Sequence, residues 1–156
     1  MNQSLMTIVI SIFALVFSAF TWVWTWRERQ GKDQRDLFLQ VYERLINKDI
    51  QRGRRILRQT VHSVNDAKTL LEDEPEDYDL ANTAIAMLDV AALYVYQGYI
   101  DRELFMKKWA RVYARCLDSG RHFLREREIR DPFVSAGEWQ HFLDLGEEAI
   151  AWLESG

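Results

Sequence analysis

The stretch Leu5–Trp26, LMTIVISIFALVFSAFTWVWTW, runs twenty-two residues without a charge, a proline or a glycine. At about 1.5 Å of rise per residue a helix of this length is about 33 Å long, enough to cross a hydrocarbon core of about 30 Å with some tilt. Residues 1–26 therefore read as a single transmembrane anchor. A cleaved signal peptide would need a basic start, a shorter apolar core and a small-residue cleavage site. Here the start is the uncharged Met1-Asn2-Gln3-Ser4, and the run ends in Trp22, Trp24 and Trp26. Tryptophan prefers the level of the headgroups, so these rings mark the end of the span. Arg27, Arg29, Lys32 and Arg35 follow at once. With cations on that flank alone, the positive-inside bias puts the C-terminal side in the cytoplasm and a short N-terminus outside.

The span carries a second pattern. Thr7, Ser11, Ala14, Ser18, Thr21 and Thr25 recur in steps of four and three, so they lie along one stripe of a helix. Small residues let two helices approach closely in lipid, and hydroxyls can bond across the contact. An isolated Ser or Thr more often bonds the carbonyl one turn back. A stripe kept over the whole span favours association with another helix, either a second copy or a membrane-protein partner.

Residues 27–33 form a charged juxtamembrane connector with Gly31 inside it, where the anchor either breaks or runs on as a helix. Residues 34–156 are the size of one ordinary domain. Their charge is divided unevenly. From Arg27 to Lys68 eleven Lys and Arg face six acids, whereas the whole chain has a net charge of −4. The membrane-proximal part is thus the basic part, which suits an anionic inner leaflet. The basic set is short and lacks interleaved aromatics, which disfavours nucleic acid.

Apolar spacing predicts about five helices and no strand. The first covers Gln34–Ile46 with Leu37, Phe38, Val41, Tyr42, Leu45 and Ile46 on one face. Asn47 is placed to cap the second, Asp49–Gln59, whose narrow apolar face is Ile50, Gly53, Ile56 or Leu57, and Val61. Glu72–Asp79, with six acids in eight residues around Pro75, reads as a loop. Asp79 then caps the longest apolar helix, Leu80–Gln97, expected at the buried centre. Gly98 ends it in a left-handed turn, and Asp101 caps a helix bearing Phe105, Trp109, Val112, Tyr113 and Cys116. Asp118–Arg130 reads as partly helical. Ser135 and Glu138 have capping-box spacing for a last helix through Trp139, Phe142, Leu143 and Leu153. The fold class is all-α: one transmembrane helix and a cytoplasmic bundle.

Few residues carry chemistry. Arg52, Arg54, Arg55 and Arg58 could hold lipid headgroups or phosphates, although such a run is more often a solvated face paired with acids of the bundle. Asp89 lies on an apolar face, where a carboxylate needs a partner; Arg54, Arg55 or Arg111 would supply one in a structural ion pair. The lone Cys116 reads as a buried small hydrophobe and excludes an internal disulfide. The acidic run lacks the glycine and alternate-oxygen spacing of a calcium loop, and His62, His122 and His141 share no ligand spacing, so no metal is expected. No Walker A loop, dinucleotide-type glycine run, HExxH or nucleophile elbow occurs, so neither catalysis nor a cofactor is expected.

Trp-terminated span, Arg52-Gly53-Arg54-Arg55-Ile56-Leu57, Met87-Leu88-Asp89-Val90-Ala91-Ala92-Leu93 and Gly98-Tyr99-Ile100-Asp101-Arg102-Glu103-Leu104, followed by the helix with Trp109 and Tyr113, occur in this order to about Phe123. In this the chain resembles a family of small bacterial membrane proteins known as domain of unknown function four-seven-six-zero. The resemblance implies a cytoplasmic helical bundle on a single anchor in the bacterial inner membrane, and supplies no activity. Two functional expectations follow from the residues: a tethered helical interaction or regulatory domain that binds a protein partner or itself, or a sensor of anionic lipid or phosphate through the basic helix.

Overall fold

The computed structural model describes residues 17–18, 20–22, 34–131, 133 and 137–155. Most of the Leu5–Trp26 span, with Thr7, Ser11, Ala14 and Thr25 of its stripe, lies outside them, as do connector residues 27–33 and Ser135 of the capping box. The described residues are helical or in turns, without a strand, and none of their helices is long and apolar enough to cross a membrane. The chain divides into two units, Met1–Asp36 and Leu37–Gly156. In the first, Phe17, Phe20 and Trp22 are helical and exposed, and the Thr21 hydroxyl donates to the Phe17 carbonyl at 2.8 Å.

The second unit is a bundle. Helix α1 contributes residues 37–45, α2 is Lys48–Thr60, α3 Val64–Asp73, α4 Pro75–Tyr96, α5 Arg102–Arg130 and α6 Gln140–Ser155. Its helix ends follow local chemistry. Asn47 accepts the Asp49 N–H at 2.9 Å and opens α2. Asp101 accepts the Leu104 N–H at 2.7 Å and opens α5. At the end of α4 Gly98 takes φ +71°; its N–H reaches the Val95 carbonyl and the Tyr99 N–H the Tyr94 carbonyl. This pair of bonds is a Schellman motif, and it satisfies the last carbonyls of α4.

Helix α4 is the centre, packed against α2, α3, α5 and α6. Ala81, Ala84, Ile85, Leu88, Ala91 and Ala92 are fully buried along it, and small side chains let its neighbours come close. The expected α5 face holds as well: Phe105, Trp109, Tyr113 and Cys116 are buried, and the Tyr113 hydroxyl donates to the Leu88 carbonyl at 2.6 Å. Helix α6 packs on α4 and, through two glycines, on α5. A Cβ at Gly120 would meet the Phe142 ring, and one at Gly146 the Leu117 side chain.

Four boundaries differ from the sequence expectation. The acidic run is not a loop: Glu72 and Asp73 finish α3, Glu74 is the single non-helical residue, and Pro75 starts α4. Proline suits the first helical position because the N–H it lacks would have no partner there, and Glu76 and Asp77 in the first turn favour the dipole. Asp79 is therefore inside α4 and caps nothing. Helix α3 was absent from the sequence expectation; it is opened by Ser63, whose hydroxyl accepts the Asp66 N–H at 3.2 Å. The Asp66 carboxyl also accepts the His62 N–H, and that bond, together with hydrogen bonding from the Ser63 side chain to the same carboxyl, holds it below the usual range. Asp118–Arg130 is helical throughout, because Phe123, Leu124 and Glu126 give it a buried face continuous with the rest of α5.

The last difference concerns α6. Trp139 precedes the helix, at φ +69°, with its ring 5.4 Å from the Arg127 guanidinium and its carbonyl accepting the Leu143 N–H. The first turn is capped from another helix: Asp89 of α4 accepts the Phe142 N–H at 2.9 Å, and its second oxygen lies 3.7 Å from His141 Nδ1. Asp89 thus pairs with a helix N-terminus and a histidine, not with Arg54, Arg55 or Arg111. The N-terminal end of α6 offers unsatisfied N–H groups and partial positive charge, and a mostly buried carboxylate answers both. Asp89→Ala is expected to lower stability by about 1–2 kcal/mol, the cost of a lost cap and an orphaned N–H, while Asp89→Asn retains most of it. Denaturant midpoints at unchanged slope measure the two; equal midpoints for Asp89→Ala and the parent would exclude this role.

Candidate anion-binding site

Gly53 determines how α2 meets the bundle. A Cβ at this position would fall on the Leu80 carbonyl and within 2.9 Å of the Ala84 Cβ, so the α2 backbone lies directly on α4. Ile50 and Leu57, one turn to either side, are buried in the same contact. With that face committed to α4, the residues beside it turn toward α5.

The result is a cavity of about 170 Å³ between α2 and α5 that gathers five arginines: Arg54, Arg55 and Arg58 from α2, Arg111 and Arg115 from α5. Gln51 and Cys116 are polar residues of its lining too, and among the described residues no carboxylate lines it. Arg55, Arg111 and Arg115 form no ion pair among the described residues. Arg54–Arg58 and Arg111–Arg115 are like-charge pairs four residues apart, each unfavourable by about 0.2–0.5 kcal/mol on an exposed helix.

Arg54 is the deepest of the set. Its guanidinium lies 5.3 Å from the centre of the Trp109 ring, and its Nη1 is buried without a hydrogen-bond partner. Burial, reinforced by the neighbouring Arg58 charge, draws its pKa below the ordinary arginine value. An unpaired buried donor on a charged group is costly, and a bound anion would remove that cost. Arg58 donates from Nε to the Arg54 carbonyl at 3.1 Å, which holds it along the helix beside the cavity. Cys116 is buried below; burial pushes its thiol up to about 11 in spite of Arg54 and Arg58, so it stays a neutral thiol, as expected of a small core residue.

Three of the four sequence candidates therefore meet in one place, and Arg52 does not. It pairs with Asp77 of α4 at 2.7 Å, as an ordinary surface ion pair. Arg111, which the sequence offered as a partner for Asp89, and Arg115 join Arg54, Arg55 and Arg58 from α5. Their i, i+4 basic spacing matched that of Arg54 and Arg58, and it was the available signal. The three histidines fall on different elements: His62 between α2 and α3, His122 within α5 and His141 on α6. Within the stripe of the N-terminal segment, Ser18 and Thr21 are described, both exposed, and the Thr21 hydroxyl is bonded to its own helix.

The volume limits what the cavity can take. At about 30 Å³ per water it matches five or six water molecules, and it is smaller than the roughly 300–1,000 Å³ of sites that enclose a drug-sized ligand. It suits one tetrahedral oxyanion whose substituent lies outside. Planar guanidinium forks match the oxygens of such a group in pairs. No protein-family model, curated protein or solved structure matches this chain.

Proposed function

We propose that the protein is a membrane-tethered helical domain that acts by binding, without catalysis, and that its bundle takes a phosphate-type oxyanion into the arginine cavity. The observation that carries this reading is the convergence of five arginines on one small cavity that, among the described residues, has no carboxylate in its lining and leaves one buried arginine N–H without a partner. The anchor at Leu5–Trp26 and its basic flank support a cytoplasmic position beside the inner leaflet of a bacterial membrane, as does the resemblance to domain of unknown function four-seven-six-zero. The phosphate is then either the headgroup of an anionic lipid or a soluble phosphate compound. Occupancy would alter the α2–α5 contact, and so whatever partner or second copy the tethered domain engages.

The test uses the full chain in lipid nanodiscs. In zwitterionic discs, titration with inorganic phosphate should give saturable shifts of arginine guanidinium resonances, weakened by salt. In discs containing phosphatidic acid, the same resonances should already be shifted if the headgroup is the ligand. Shifts in neither setting would sink the reading. The mass of the disc-borne species in the same samples reports whether the anchor, through its small-residue stripe, associates with a second copy.

A further inference from the structure

A second cavity lies at the other end of α5. Helix α3 runs beside the last turns of α5, and between them is a space of about 490 Å³, within the size range of small-molecule sites. Val64 and Leu71 of α3 and Ile129 of α5 make its apolar wall, and Ile129 is 64 % exposed. An apolar surface of this kind is costly in water unless it is covered.

Its polar side carries two cations, Arg130 and Lys68, and two carboxylates, Glu126 and Glu72. Glu126 lines the cavity yet is only 4 % exposed, and both its oxygens are occupied. One accepts the Tyr78 hydroxyl at 2.7 Å, and the other accepts Arg130 Nε at 3.1 Å. The Tyr78 oxygen in turn accepts Arg130 Nη2 at 3.1 Å. Burial, and the bond to Glu126, push the Tyr78 phenol up to about 12, so it remains a donor at neutral pH. Both Glu126 oxygens and the Tyr78 oxygen are thus engaged as acceptors within one network. Arg130, which also lines the cavity, has five N–H groups, of which the network takes two. Lys68 stands in an exposed ion pair at 3.7 Å with Glu72, which also lines the cavity, and the Asn65 carboxamide makes no side-chain hydrogen bond among the described residues.

An apolar wall beside the three remaining N–H groups of Arg130 suits a molecule with a hydrocarbon body and an anionic head. We infer that this cavity binds a small amphipathic monocarboxylate, its chain against Val64, Leu71 and Ile129 and its carboxylate on Arg130 and Lys68. The site shares no residue with the arginine cavity, so the two stand or fall separately.

The probe is octanoate, with 1-octanol as its uncharged counterpart, added to the full chain in zwitterionic nanodiscs. The readout is the δ1-methyl resonance of Ile129, which reports the cavity and not partition into lipid. Octanoate should shift it saturably, and octanol at the same concentration should shift it much less. Lys68→Gln, at an exposed position outside the core, should weaken octanoate about tenfold, the worth of one charge-assisted bond, and leave octanol unchanged. Arg54→Gln should leave octanoate binding as in the parent. An unsaturable or absent shift overturns the inference, and so do equal shifts by octanol and octanoate. An octanoate affinity unaffected by both Lys68→Gln and Arg130→Gln overturns it too.

Discussion

Gly53→Ala is expected to destabilise the bundle by about 1–3 kcal/mol, although helix propensity alone would have it stabilise α2 by about 1 kcal/mol. The sign turns on what the added methyl meets. It would land on the carbonyl group of Leu80, which is backbone in the middle of α4, and within 2.9 Å of the Ala84 Cβ. Neither can swing aside as the end of a long side chain would, so α2 must lift away from α4. Ile50 and Leu57 lie in the same contact and would lose packing with it. A fall in the denaturant midpoint at unchanged slope is the expected reading. A rise would mean that α2 does not approach α4 as closely as described. The displacement also moves Arg54, Arg55 and Arg58 relative to α5, so the variant should bind phosphate more weakly even where it is fully folded.

Replacing one arginine on each wall, Arg54→Gln with Arg111→Gln, should lower phosphate affinity by about a hundredfold. Each guanidinium contributes a charge-assisted bond of about 1.5–3 kcal/mol, which is tenfold or more, and the two come from different helices. The salt dependence of binding should flatten with it, because fewer cations remain to be screened. Arg52→Gln is the matched control. It removes the same charge from the same helix, but Arg52 faces Asp77 rather than the cavity, so affinity should stay within about twofold of the parent. Equal losses from Arg52→Gln and from the paired variant would show that general basicity, not the cavity, holds the anion. Unfolding midpoints of the variants separate lost binding from the loss of the Arg54 contact with Trp109.

Local signals foretold most of the elements. Asn47 and Asp101 opened helices where their short acceptors allow it, and Gly98 closed one where φ must be positive. The acidic run misled because six like charges suggest repulsion and a loop. Pro75 at a first helical turn is as good a helix start as it is a break, and Arg52 and Lys68 stand within reach of Asp77 and Glu72. Helix α3 is faint in the sequence although Ser63 and Asp66 stand at cap spacing, since its apolar face is short: Ala67 and Leu70 are its buried residues.

What the sequence determined by itself is the all-helical class, the central place of α4 and the apolar face of α5. Each follows from periodicity and from residues that act on their own chain. The partners of charged groups were decided by tertiary structure. Asp89 finds the N-terminus of α6, fifty-three residues away, and not an arginine. Arg52 is drawn off to α4, while Arg111 and Arg115 join Arg54, Arg55 and Arg58 around one cavity. Helical spacing says which side chains share a face, but not which face another helix will meet. That choice rests on Gly53, whose missing side chain sets α2 against α4 and leaves its arginines to face α5.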